Sequence, residues 1–175
     1  MERQPGASTL SEDDRRLLAT WAADCAERTL PLFEARAPGD ARPRDAIDGL
    51  RAFARGEMRI GEVRALAARA HAAAREIGDA AAVAAARAAG QAAAVAHMAA
   101  HARGAAAYAA KAAGLAVPHD PAAVSEEVRW QRSHASPAVR DVLRRLPPPP
   151  VRAAGMLGAL IGDMHEKLLE GGAGA

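Results

Sequence analysis

The chain has 175 residues, the size of one domain, and half of them are hydrophobic although only 3% are aromatic. Its formal charge is +2, with acids and bases alternating and no basic run interleaved with aromatics, so nothing supports a nucleic-acid-binding stripe. Cys25 is the only cysteine, which rules out an internal disulfide. No apolar leader follows Glu2, Arg3 and Gln4, so a cytosolic protein is expected.

About 50 residues are alanine, far above ordinary usage, and alanine is the strongest helix former. An all-α fold follows: a compact multi-helix bundle without a sheet. Alanine buries one methyl, so its helices must pack closely while Trp21, Phe33, Phe53, Tyr108 and Trp130 fill the middle. Positive charge is nearly all arginine, with Lys111 and Lys167 the only lysines. Together with the alanine excess this reads as GC-rich coding.

Residues 1–10 read as a disordered N-terminus, 11–170 as one helical domain and 171–175 as a loose tail. Ser11 with Glu12, Asp13 and Asp14 is a helix start: a hydroxyl cap followed by acids in the positive first turn. Leu17, Leu18, Trp21 and Cys25 then share one buried stripe, beside Asp24 and Arg28 at i,i+4. Pro31 should break or kink this helix, with a short continuation through Phe33 and Glu34. Ala37 to Asp40 is a turn, and Pro43 opens a second helix. There Ala46, Ile47, Leu50, Phe53 and Ala54 face inward, Arg44, Asp48, Arg51 and Arg55 face out, and Gly56 ends it.

A third helix is expected from about Ile60 to Ile77, stopping at Gly78-Asp79. A fourth begins near Asp79 and reaches at least Ala102; its continuation through Gly104 to Ala116 is open, and Pro118 stops it. The charges and polar groups at Arg87, Gln91, His97, His101, Arg103 and Lys111 argue against a membrane span in this Ala-rich stretch. Asp120-Pro121 opens a helix to about Arg132, and Ser136-Pro137 repeats the device for a short one bearing Val139, Val142, Leu143 and Leu146. Pro147 to Pro150 form a rigid spacer. A last helix, roughly 152–169, carries Met156, Leu160, Met164 and Leu168 on one side.

Several groups are candidates for chemistry. On a continuous fourth helix His97 and His101 lie at i,i+4, with Tyr108 on the same face, and two such histidines can chelate a metal. Position 98 is Met98 rather than the Glu of His-Glu-x-x-His, and His71 is the one obvious third ligand. A polar seam between helices explains the same residues, and no bound metal or other cofactor is expected. Arg64, His71 and Arg75 line one face of the third helix and suit an acidic partner or ion pairing. Asp40, Arg42 and Arg44 around Pro43 suit a phosphate or pairing with Asp24, Glu27 or Glu34. Cys25 sits on the apolar stripe as an inert thiol. No nucleophile, phosphate loop or Asp/Glu/Lys cluster for magnesium points to an enzyme.

Three stretches carry a resemblance. They are Leu17 to Glu27 with Leu30 to Glu34; Asp40 to Ile47 with Arg51, Phe53 and Gly56; and Ala70 to Arg75 with Ala86 to Gly90, His97, His101 and Ala106 to Ala112. Over about residues 10–115, and more weakly at Glu126–Gln131, the chain resembles the immunity-five-like family of bacterial immunity proteins. Members carry histidine where this chain has Gln91, and often Trp where it has Phe53. The resemblance implies a small helical protein that binds and neutralises a cognate protein toxin of a polymorphic toxin system. Arg42, Arg44, Arg64, His71, Arg75, His97, His101 and Tyr108 are then the partner-binding candidates. Two rivals stay open: a metal- or small-ligand-binding protein or enzyme using His71, His97 and His101, and a self-associating bundle such as a homodimer.

Overall fold

The computed structural model describes residues 10–148, 158–162 and 166. Eight helices follow in order: α1 (Glu12–Glu27), α2 (Leu30–Glu34), α3 (Arg42–Ala54), α4 (Ile60–Glu76), α5 (Ala80–Ala94), α6 (His101–Ala116), α7 (Ala123–His134) and α8 (Pro137–Arg145). A further helical stretch covers 158–162, where Leu160 is buried, and no strand occurs among the described residues. Most of the expected last helix, the end of the polyproline spacer and both termini lie outside them.

The central element is α5. Eleven of its residues are buried and ten of those are alanine, so its neighbours approach on nearly every side. It packs against α1, α2, α3, α4 and α6. A helix apolar all round belongs in the middle of a bundle, and small side chains permit the close approach. The larger side chains come from the ring around it: Leu18, Trp21, Leu30, Phe33, Ile47, Leu50, Phe53 and Val63 are buried. Outermost, α7 packs on α6 and α8 on α1.

Local signals in the sequence set most of the boundaries. Ser11 caps α1 by accepting from the Asp14 amide at 3.0 Å, while its own amide donates to the Asp14 carboxylate at 3.0 Å. Pro31 and Pro43 stand in the first turns of α2 and α3, where no amide is required. Gly56, with φ +78°, follows α3. Ser136 caps α8 through the Val139 amide at 3.2 Å.

Four expectations need correction. The break expected at Pro31 with a short continuation to Glu34 is present but falls earlier: α1 ends at Glu27, and Pro31 stands in the first turn of α2. Leu17, expected on the buried stripe, is 36% exposed, because that stripe is centred on Leu18, Trp21, Ala22 and Cys25. Asp120 does accept a bond from the Ala122 amide at 2.9 Å, but a turn precedes α7, which begins only at Ala123. Finally, the fourth helix does not reach Ala102: it stops at Ala94, and the chain reverses through residues 95–100 into α6. Gly104 does not interrupt α6.

That reversal makes α5 and α6 an antiparallel hairpin. Gln91 meets His101 near the turn, while Ala80 and Leu115 share a cleft at the far end. The turn closes on short-range bonds, Val95 amide to Ala92 carbonyl at 3.0 Å and Met98 amide to Ala94 carbonyl at 3.1 Å. Val95 and Ala96 are buried, and Arg15 of α1 donates to the Ala96 carbonyl at 3.0 Å. Burial of the turn and its clamp to α1 override the helix propensity of the alanines around it.

Candidate functional site

The candidate residues divide between two places. Arg42 and Arg44 belong to an ion-paired region joining α2, α3 and α4. Arg42 donates to both carboxylate oxygens of Asp40, Nε to Oδ1 at 2.9 Å and Nη2 to Oδ2 at 2.6 Å, and reaches Glu76 at the end of α4. Arg44 donates to Glu34 at 2.6 Å and lies 3.9 Å from Glu27. Nearby, Arg51 spans Asp24 and Glu27 with bonds of 2.6 to 3.0 Å. These pairs hold the carboxyls of Asp40 and Glu27 below their ordinary range, chiefly through the arginine hydrogen bonds. Asp24 and Arg28, although at i,i+4, pair elsewhere: Asp24 with Arg51, and Arg28 with Glu127 at 2.8 Å.

The second place is built from α4, α5, the 95–100 turn and α6. His71 of α4 lies over Gly90 of α5, where a Cβ would come within 2.5 Å of the ring. Gly90 is therefore the residue that admits the imidazole between the helices. Arg87, one turn earlier, directs Nη1 toward His71 Nδ1 at 3.5 Å. On α6, His101 Nδ1 lies 2.8 Å from Gln91 Oε1. Gly104 admits the Gln91 amide as Gly90 admits His71.

His97, expected on the same helix as His101, lies instead in the turn, and its ring centroid is 5.3 Å from that of His101. All three imidazoles titrate below their ordinary value. Burial is the main cause for each; Arg87, His101 and Arg75 add positive charge at His71, Arg64 at His97, and His97 at His101. Tyr108 lies two turns beyond His101 and lines a separate cleft of about 430 Å³ with Val83, Ala84, Lys111 and Leu115.

Among the described residues this second face is poor in carboxylates. No Asp or Glu occurs anywhere from residue 80 to residue 119. Among the described residues, none comes within 4 Å of the charged groups of Arg64, Arg75, Arg87 or Lys111. Arg64 and Arg75 are exposed and Arg87 is half-buried. The acid-free interval was visible in the sequence and is the signal that would have added Arg87 to the candidates. The roles of Gly90, Gly104 and Gln91 depend on which helices cross, and no local pattern carries them.

The residues present do not converge on a metal. His71 and His101 are each engaged by a different neighbour, and among the described residues no three His, Cys, Asp or Glu side chains group as ligands. Cys25 is fully buried and burial pushes its thiol well above its ordinary value, so it is not a thiolate nucleophile at neutral pH. No helix of the described residues is long and apolar enough to cross a membrane.

The described residues thus form an all-α bundle with a cationic, histidine-bearing face on α4, α5 and α6. Over residues 8–138 the chain matches the family described as Imm-5 like putative immunity protein, and it belongs to that family. No curated protein and no solved structure matches it.

Proposed function

We propose that the protein binds a cognate toxin stoichiometrically and neutralises it by occlusion, without catalysis. The carrying observation is the α4–α5–α6 face, where Arg64, Arg75 and Arg87 act on the His71 and His97 imidazoles and, among the described residues, form no ion pair within 4 Å. Arg42, Arg44 and Arg51, by contrast, are paired with acids of their own chain. Cations without such pairs among the described residues suit an acidic partner, and complementary charge speeds association and fixes orientation. Family membership supports a toxin as that partner. Arg42 and Arg44 then act mainly as clamps between helices, and Tyr108 stands at the margin of the contact.

Co-expression with the toxin domain encoded by the neighbouring gene tests this reading. The wild type should rescue growth and form a one-to-one complex, and Arg75→Ala should weaken protection with an unchanged melt. Rescue at amounts far below the toxin's would mean turnover and would overthrow occlusion.

A further inference from the structure

The α5–α6 turn carries a residue that folding does not explain. Met98 is 54% exposed, the most exposed large apolar side chain among the described residues. In the chain it stands between His97 and His101, and at His97 the Arg64 charge adds to burial in lowering the imidazole pKa. Its backbone is fixed: the Met98 amide donates to the Ala94 carbonyl at 3.1 Å and its carbonyl accepts from His101 at 3.1 Å. Beneath it Val95 and Ala96 are buried, and Arg15 holds the turn to α1 through the Ala96 carbonyl. An unbranched thioether on a hydrogen-bonded turn, flanked by His97 with Arg64 acting on that imidazole, has the anatomy of an interface anchor: an apolar centre, a polar surround and little ordering left to lose on binding.

We infer that Met98 is the apolar anchor of the cationic face, and that its partner is a protein surface with an apolar socket ringed by Asp and Glu. This rests on the immunity reading above and names which part of the face makes the decisive contact. Charge complementarity selects an acidic rim, since Arg64 and Arg87 have no Asp or Glu within 4 Å among the described residues. A lipid surface fits less well, because one methionine supplies too little apolar area to hold a protein on a bilayer at about 0.8 kcal/mol per buried CH₂.

Titration calorimetry of the full chain against the neighbouring gene's toxin domain tests the inference, with Met98→Ala, Met98→Glu and Leu17→Ala compared. Leu17 is the control, an exposed apolar residue on α1. Met98→Ala should weaken binding by about tenfold or more, the scale of an interface hot spot. Met98→Glu should weaken it further, and Leu17→Ala should leave it within about twofold. All three should melt as the wild type does, since both side chains are exposed. Wild-type affinity retained in Met98→Ala and Met98→Glu overturns the anchor while leaving the immunity reading intact. No wild-type binding overturns both. Met98-dependent sedimentation with phosphatidylglycerol vesicles, without toxin binding, would assign the face to lipid instead.

Discussion

Trp21 and Arg103 show how single side chains attach the outer helices to the bundle. Trp21 is 2% exposed on α1, and its indole N–H donates to the Gln131 carbonyl of α7 at 2.9 Å. Trp21→Ala should cost about 3–5 kcal/mol, read as a lower urea midpoint with an unchanged slope. Arg103, 3% exposed on α6, donates to the Leu143, Leu146 and Pro147 carbonyls around the end of α8. It has no carboxylate partner among the described residues, and burial pushes its pKa down to about 10. The negative end of the α8 dipole supplies the compensating charge. Arg103→Met keeps much of the volume but strands these carbonyls, which should cost about 1–3 kcal/mol. Amide exchange should speed up in α8 before it does in α1; uniform exchange along the chain would show that Arg103 is not what holds α8.

At the scale of elements, the crossing of α4 over α5 couples stability to the candidate site. Gly90 lies inside α5, where alanine would normally help by about 1 kcal/mol through helix propensity. Here the added methyl meets the whole His71 ring, with Cε1, Nδ1 and Nε2 between 2.5 and 2.8 Å away. Overpacking of this kind costs about 1–3 kcal/mol, so Gly90→Ala should be neutral to destabilising and should displace His71. A two-dimensional NMR spectrum would record that displacement as a shift of the His71 ring resonances. An alanine variant that is stabilised, with His71 unmoved, would mean the helices lie farther apart than described. The Trp130 ring forms a comparable seam on α7, stacked on His134 at 3.8 Å and covered by the Arg28 guanidinium at 4.0 Å.

For the whole molecule, the depressed histidines give stability a pH dependence of defined sign. His71, His97 and His101 have folded-state pKa values below the ordinary 6.5. Between the folded and unfolded values the unfolded chain binds more protons, so stability is complete above about 6.5 and falls as pH drops below it. The paired carboxyls of Asp14, Glu27 and Asp40 are lowered instead and lose their contribution only at more acidic pH, below the ordinary carboxylate range. Melts between pH 7.5 and 5.5 therefore read the histidines. The wild type should lose stability across that interval, and His71→Gln with His101→Gln should flatten the loss. A wild-type melt independent of pH there would contradict the burial of neutral imidazoles. An acidic partner would act in the opposite direction, since it favours the protonated rings.

The sequence by itself determined the helical class, because alanine propensity, the caps at Ser11 and Ser136 and the first-turn prolines act within a few residues. It also made the family legible through residues 10–115, and it pointed to His71, His97, His101, Arg64 and Arg75. Only the tertiary structure decided that the long alanine stretch breaks at 95–100. Nothing local forbids helix there, and the break comes from burying Val95 and Ala96 while Arg15 clamps the turn from a distant part of the chain. The same long-range packing moved His97 out of α5 and brought it beside His101 across the turn. It also sorted the arginines, locking Arg42 and Arg44 against acids and leaving Arg64, Arg75 and Arg87 without an ion pair among the described residues. Charge pairing depends on which helices cross, and in an alanine-rich chain those crossings are set by close packing that composition alone cannot order.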